Sequence, residues 1–411
     1  MINLIPEYLV IVNALKSKTS LQEAFFKVRT TTTMSSSTLK SLHHNVKLVL
    51  AHYYSLSYKV FYLFPALDKK SNESVFLITL LSHYEYLNEN KKELKESFNL
   101  ACNELRFNLT IKDFDIIYSF YKNKEDIISK IDDDLLSLSL KLEIPLFLLK
   151  IMIKQFDKDD LLKVSKSLHL KDNNLYLITD ENYKNDKLTK YLTLNDINTY
   201  VGKVDTFSSV IKEKKVLKTS FLTLYTLSKI SEYYGVTTLL ISNLKDYLLP
   251  YSIYHFLENK TSIQISAFVK NPFFYRKAVE YNNLKKISIN NASIDMIKTY
   301  IPYKSKNIVL YYGSSFISLN RNDPSLLLKF NESDILKEFK HNLSGLKEVS
   351  SFVSSSCYLV YLNYSFLKEV NEEVKNSFLL EKKDFTLIEE GNTNFVSSLL
   401  PVGYFAIFKR N

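Results

Sequence analysis

Glycine is scarce in this chain, and its distribution constrains the fold. Only six occur in 411 residues: Gly202, Gly235, Gly313, Gly345, Gly391 and Gly403. None precedes Gly202. Turns that need positive φ are costly without glycine, so the first half is expected to be helices joined by short polar connections. Leu4, Leu9, Val12 and Leu15 recur at helical spacing, and apolar stripes run through 39–54, 74–87, 92–105 and 111–121. Pro65, Asp68 and the Lys-Lys-Ser-Asn cluster at 69–72 mark a loop, as does the polar run 30–37. A helical bundle over 1–135 is the expectation.

The texture changes near Leu142. Pro145 suits the first turn of another apolar helix. The run 175–178 reads as a strand and 180–186 as a polar loop, giving a small α+β unit over 136–205. From Val216 onward, strand-like runs at 237–242, 263–269, 286–289, 307–312 and 358–362 alternate with helical stretches at 273–282, 333–346 and 369–379. Such alternation predicts an α/β Rossmann-like domain over 206–411, with a mostly parallel sheet and helices on both faces.

Hydrophobic residues make up 46% and charged residues 24% of the chain, enough apolar surface for globular packing. Its length exceeds one ordinary core and predicts a multidomain protein. The net charge of +10 and a pI near 9.1 fit a polyanionic partner, RNA first. An AT-rich genome also produces a lysine-rich, Trp-free profile with only five arginines, so charge alone does not assign the partner. Two cysteines, Cys102 and Cys357, cannot staple a chain this long and fit a reducing cytoplasm. No apolar run approaches the roughly 20 residues of a membrane span. The apolar start carries Glu7 and lacks the basic residues of a signal peptide.

Metal chemistry has little support. None of the seven histidines forms the helical His-Glu-His spacing of a metalloprotease. His44 and His52 lie two helical turns apart and fit a capping or solvated role better than a metal site. Asp132, Asp133 and Asp134 read as an acidic helix boundary. No phosphate-binding glycine loop and no paired-cysteine zinc motif occurs. No metal is expected.

One C-terminal stretch carries more information. Residues 359–374, Leu-Val-Tyr-Leu-Asn-Tyr-Ser-Phe-Leu-Lys-Glu-Val-Asn-Glu-Glu-Val, resemble L-V-Y-[SA]-T-C-S-[LV]-x-P-x-E-N-E-x-V. That motif belongs to the RNA cytosine-C5 methyltransferases of the Sun/Nol/Nop group. Four further segments carry the likeness. Residues 145–179 resemble the family's P-x-W-L-[VL]-x-x-W segment and following strand. Residues 261–291 resemble the second strand, helix and third strand of its sheet. Residues 307–330 parallel V-L-x-D-A-P-C-S-G-x-G-V-x-R-R-x-P, with Arg321 and Pro324 matching. Residues 401–409 match the closing D-G-F-F-x-A-x-L-[RK] strand. The layout is similar to the bacterial small-subunit rRNA enzyme, whose helical N-terminal domain resembles the antitermination factor NusB.

The resemblance implies a NusB-like bundle, a small RNA-binding unit and a methyltransferase-like sheet. It also implies that the chemistry is gone. The family's nucleophilic cysteine falls on Tyr364, its second cysteine on Ser314 and its aspartate on Tyr311. Cytosine-C5 methylation needs a thiolate to add to C6. A phenol with a pKa of about 10 is mostly protonated at neutral pH and too bulky to replace it. Cys357 stands seven positions before Tyr364, about 23 Å along an extended strand and on the opposite face. The S-adenosylmethionine site is equally altered. No glycine occurs between Gly235 and Gly313, where the family has A-A-P-G-G-K after its first strand. Its acids fall on Ile241, Val269 and Ser293, although Asp295 is close. No cofactor is expected; S-adenosylmethionine would be required by a working enzyme with a divergent pocket.

The RNA-contact candidates are Lys212, Lys214, Lys215, Arg276, Lys277, Lys285, Lys286, Arg321, Lys409 and Arg410. Phosphate contacts from such residues give affinity without sequence choice. Arg321 leads, because its family counterpart sits beside the RNA-facing loop, whereas the family's arginine in the small unit falls on Leu177. The expectation is a cytoplasmic, non-catalytic RNA-binding protein of ribosomal RNA or a pre-ribosomal particle. The alternatives are an active rRNA cytosine-C5 methyltransferase and a scaffold whose helical domain docks a ribosomal or transcription protein.

Overall fold

The computed structural model describes residues 3–16, 19–32, 34–87, 89–168, 174–178, 188–194, 197–202, 216–230, 236–244, 246–258, 262–269, 271–292, 296, 306–315, 323–393 and 403–411. The chain divides into two compact units, Met1–Leu161 with Leu319–Asn331, and Leu162–Ser318 with Glu332–Asn411.

The first unit is helical. Its helices are α1 (Leu4–Ala14), α2 (Leu21–Thr31), α3 (Ser36–Ala51), α4 (Tyr53–Leu63), α5 (Asn72–Ser82), α6 (Lys91–Leu105), α7 (Ile111–Asn123), α8 (Asp134–Leu142) and α9 (Leu146–Gln155). A π-helical turn, His83–Leu87, extends α5. α10 (Lys158–Leu168) crosses the unit boundary. Polar caps start these helices. Ser20 forms a capping box with Glu23, Ser35, Ser71 and Asn90 each accept one backbone N–H, and Asp133 accepts two. The acidic run at 132–134 is therefore a helix cap.

Two features differ from the sequence expectation. Glycine-free helix ends still enter the left-handed region: Arg106, Lys124 and Glu143 have φ of 54°, 51° and 53°. Each costs about 1 kcal/mol or more relative to glycine. In addition, 39–54 is two helices. The break is at His52, whose φ of −112° and ψ of 20° leave the helical region. Glu143 stabilises the new start: its carboxylate accepts the Ser55 N–H at 3.2 Å and the Ser55 hydroxyl, and lies 3.5 Å from His52 Nδ1. An acid at a helix N-terminus supplies acceptors for unpaired N–H groups. This cap comes from 88 residues away and has no local sequence signal.

The chain returns to this unit after residue 318. Asp323 Oδ2 accepts the Leu21 N–H at 2.8 Å. Lys329 on the short helix α11 (Ser325–Lys329) donates to Ala14 O and Thr19 O at 2.8 and 2.9 Å. A carboxylate at the start of α2 and an ammonium at the end of α1 match the helix dipoles.

The second unit holds two sheets. β1 (Asn174–Ile178), β2 (Leu188–Leu194), β3 (Ile197–Gly202) and β4 (Val216–Lys218) form an antiparallel sheet of order β2-β3-β1-β4. The larger sheet comprises β5 (Val236–Ile241), β6 (Gln264–Phe268), β7 (Ile287–Asn290), β8 (Lys306–Tyr312), β9 (Tyr358–Asn363), β10 (Phe385–Asn392) and β11 (Tyr404–Arg410). Its order is β10-β11-β9-β8-β5-β6-β7. β5 to β9 pair in parallel; β11 runs antiparallel to β9, and β10 to β11.

Both faces are buried, so the strands are apolar almost throughout. Ile308, Leu310 and Tyr312 of β8 pack on one face against the helices Phe221–Ser228 and Leu249–Leu257. Val309 and Tyr311 pack on the other, against the helices Glu332–Ser350 and Glu372–Glu381. The same period of two continues through β9 and β11. Among the described residues, no helix is long and apolar enough to cross a membrane.

Candidate functional site

In open α/β sheets, ligands bind beyond the carboxyl ends of the strands where strand order reverses. Here that point lies between β5 and β8, flanked by β6 and β9. The residues there are Ile241 and Ser242, Phe268 and Val269, Tyr312 to Ser315, and Asn363 to Ser365.

The β5 and β6 ends are closed by ordinary interior contacts. Ile241, Leu244 and Val269 are buried in one apolar cluster. The backbone beyond them is satisfied internally. Ser242 N–H and hydroxyl both donate to Leu310 O, Leu244 N–H donates to Phe268 O, and Val269 N–H to Asn290 O. Asp246 Oδ1 accepts the Leu248 N–H, one residue before the next helix. Neither Ile241 nor Val269 offers an acceptor for ribose hydroxyls, and Leu244 fills space where a glycine loop would admit the methionine part of S-adenosylmethionine. These residues do not fit that cofactor. Ser293 lies outside the described residues.

At the end of β9, Tyr364 is half-buried and its ring packs on the same apolar cluster. Its hydroxyl is hydrogen-bonded to that of Ser220. Ser220 caps the helix Phe221–Ser228 and accepts from Thr223 Oγ1 at 2.9 Å; the Thr223 and Tyr312 hydroxyls lie 2.8 Å apart. A chain of four hydroxyls therefore joins β8 and β9 to this helix. Burial, then the neighbouring Tyr364 and Asp246, raises the Tyr312 phenol well above its ordinary value. The groups joined in this chain are the hydroxyls of Tyr364, Ser220, Thr223 and Tyr312.

Ser314 is half-buried in the loop after β8. Its backbone is clamped by Asn342, which accepts the Ser314 N–H at 2.7 Å and donates to Ser314 O at 3.0 Å. Tyr311 turns to the opposite sheet face. Its ring stacks on Tyr361 with centroids 6.0 Å apart, and burial raises its phenol above the ordinary value.

Tyr361, Ser365 and Asn371, which match the resembling motif, hold the loop together with Asn363 and Val370, which do not match it. Asn371 Nδ2 donates to Ser365 O at 2.8 Å, and Asn371 Oδ1 accepts from Asn363 Nδ2 at 3.1 Å. Tyr361 and Asn363 both donate to Val370 O, at 2.7 and 3.2 Å. Ser365 Oγ accepts the Leu367 N–H at 3.1 Å. Tyr361, Asn363, Ser365, Val370 and Asn371 are all buried. Cys357 lies at the other end of β9, buried, its sulfur accepting the Asn307 N–H at 3.3 Å; burial raises its thiol pKa.

Comparison with solved structures identifies the architecture. PH0851 overlaps 100% of this chain and 99% of its own, with a TM-score of 0.70 and 13% identity. A methyltransferase homolog protein from Pyrococcus horikoshii overlaps 68% of this chain and 100% of its own, with a TM-score of 0.53 and 11% identity. The sheet is that of a class I methyltransferase. No protein-family model and no curated protein matches the chain.

Within this methyltransferase fold, the basic candidates do not converge. Arg276 and Lys277 are exposed on the helix Pro272–Tyr281, and Lys285 and Lys286 are exposed before β7. Lys409 and Arg410 end β11, beside the start of β9. Lys409 lies over the Tyr358 ring at 5.7 Å. Arg410 donates to Val353 O at 2.6 Å and pairs with Asp384 at 2.9 Å. β11 and β7 are five strand spacings apart, about 24 Å. Lys212, Lys214, Lys215 and Arg321 lie outside the described residues.

Sequence reading missed Ser220, Thr223, Asn342 and Gly345. They sit outside the matched segments and meet the site only through tertiary contacts.

Proposed function

We propose that this chain is an RNA-binding protein built on a methyltransferase fold, acting on ribosomal RNA or a pre-ribosomal particle in the cytoplasm without transferring methyl groups. One observation carries the reading. The hydroxyl of Tyr364, the residue that by the sequence resemblance falls at the family's nucleophile position, is tied to the helix-capping Ser220 and backed by the buried Tyr312 phenol. Covalent addition to cytosine needs a soft, ionisable nucleophile, and the apolar packing of Ile241 and Val269 leaves a cofactor's ribose without partners. The NusB-like character of the helical unit, with a ribosomal or transcription protein docked there, belongs to the same proposal. Arg276, Lys277, Lys285 and Lys286, exposed on the sheet-bearing unit, are the residues this reading assigns to phosphates.

The test combines binding and chemistry. The purified chain is mixed with small-subunit rRNA fragments and S-adenosylmethionine labelled in its methyl group. The proposal expects salt-sensitive RNA binding and no label in cytosine. Label at cytosine C5 refutes the loss of chemistry; absence of binding at low salt refutes the RNA partner.

A further inference from the structure

The helical unit carries a separation of charge unrelated to the sheet. From Ala24 to Leu67 no Asp or Glu occurs, although the chain holds 44 acids in 411 residues. The same stretch holds Lys27, Arg29, Lys40, Lys47 and Lys59. Lys59 is neutralised by Glu85, whose two oxygens lie 2.8 and 2.7 Å from its nitrogen. The other four make no ion pair among the described residues. Lys27, Arg29 and Lys40 are exposed, and Lys47 is half-buried.

Lys27 and Arg29 lie on α2, and Lys40 and Lys47 on α3, the two helices that form the α2–α3 hairpin. Phe25 stacks on His43 with ring centroids 3.6 Å apart and planes 18° apart, which fixes how the helices face each other. One turn toward the connection from that stack lie Arg29 on α2 and Lys40 on α3; one turn the other way on α3 lies Lys47. No carboxylate lies in the sequence between these positions. Three acids on or beside these helices are committed elsewhere: Asp323 accepts the Leu21 N–H at the start of α2, Glu23 closes the capping box there, and Glu7 is buried against Asn45 and His83. Burial, then the Lys47 charge, lowers the His43 pKa. The connection is rich in hydroxyls, with Thr30, Thr31, Thr32, Ser35, Ser36, Ser37 and Thr38. Beside the basic stripe, Phe26 is 68% exposed.

Concentrated like charge destabilises the native chain unless a counter-charge arrives. Cations on two successive helices beside a bare aromatic ring match a nucleic-acid strand, whose phosphates take the charges and whose bases stack on the ring. An acidic protein segment would satisfy the cations but gives no reason for the exposed ring.

We propose that the α2–α3 hairpin binds single-stranded RNA, with Lys27, Arg29, Lys40 and Lys47 on phosphates and Phe26 stacked on a base. The proposal rests on the RNA-binding reading above and names a surface for it.

The full chain is titrated with a fluorescein-labelled oligouridylate of about 20 nucleotides across a salt series, followed by anisotropy. The Lys27→Gln/Arg29→Gln/Lys40→Gln/Lys47→Gln variant is compared with Arg276→Gln/Lys277→Gln/Lys285→Gln/Lys286→Gln, with circular dichroism confirming that both are folded. Each single-strand phosphate contact contributes about 0.7 to the slope of log affinity against log salt, so losing four lowers it by about 3. The hairpin variant is expected to show that loss. Phe26→Ala is expected to weaken binding at least about fivefold with the slope unchanged, which a charge-only role would not do. An unchanged slope in the hairpin variant, while the wild type binds, overturns the hairpin and leaves the RNA reading standing. Absence of wild-type binding overturns both. Polyglutamate displacing the labelled RNA as well as unlabelled oligouridylate does shows an acidic-chain surface instead, and also overturns the proposal.

Discussion

A Cβ on Gly345 would lie 2.1 Å from the Tyr311 hydroxyl oxygen and 2.6 Å from its Cζ. By the sequence resemblance, Tyr311 falls where the family carries an aspartate; the helix beneath it has room only because residue 345 has no side chain. Alanine normally stabilises a helix interior by about 1 kcal/mol over glycine. Here Gly345→Ala is expected to destabilise by roughly 1–3 kcal/mol, as in an overpacked core. Combining it with Tyr311→Val should recover most of that loss, seen as a favourable coupling in a urea double-mutant cycle. Additive effects would mean that the two residues do not share space.

Asn371→Ala is expected to cost roughly 2–4 kcal/mol. The change strands the Ser365 carbonyl and one Asn363 amide hydrogen bond in the interior, and each buried orphan costs about 1–3 kcal/mol. Urea unfolding measures it; a change below about 0.5 kcal/mol, the size of an ordinary surface substitution, would show that the loop is not held by this network.

Alkaline stability follows from four buried phenols. Burial raises Tyr311, Tyr312, Tyr361 and Tyr404 above their ordinary values. The unfolded chain releases these protons near pH 10 while the folded chain keeps them. Stability is thus full below pH 10 and falls as pH rises, by about 1.4 kcal/mol per unit for each phenol. Chemical denaturation at a series of pH values above about 9.5 should show the midpoint dropping steeply. A flat profile up to about pH 11 would contradict the burial of these hydroxyls.

Both cysteines should resist thiol reagents. Burial, then the Asp113 charge, pushes the Cys102 thiol up to about 11, and burial raises Cys357 too. At pH 8 only about one Cys102 in a thousand is thiolate. Labelling by an aromatic disulfide should be slow in the native chain, rise with pH and become immediate in denaturant. Rapid labelling of native Cys357 would contradict its place in the core.

The legible parts of the fold were those with local signals. The strand at 307–312 is β8 to within one residue, because a strand buried on both faces is a short apolar run. The helix at 92–105 begins one residue earlier, at Lys91, behind its Asn90 cap. The parts that were not legible depend on distant partners. The split at His52 depends on Glu143, and α11 docks on α1 and α2 through Asp323 and Lys329. At the candidate site, the residue types that fall at Tyr364, Tyr311, Ile241 and Val269 are read from the resemblance alone. What those side chains contact is not legible there: the Tyr364–Ser220–Thr223–Tyr312 hydroxyl chain includes a contact between residues 144 apart. The Asn342 clamp on Ser314 likewise spans 28 residues.

The central claim is that a methyltransferase fold persists here without its cofactor site. Calorimetric titration of the purified chain with S-adenosylmethionine, up to millimolar concentration, tests it most directly. The account predicts no saturable heat, because Ile241, Leu244 and Val269 are packed as interior. Saturable binding would contradict the account and would make methyl transfer to RNA the next reaction to measure.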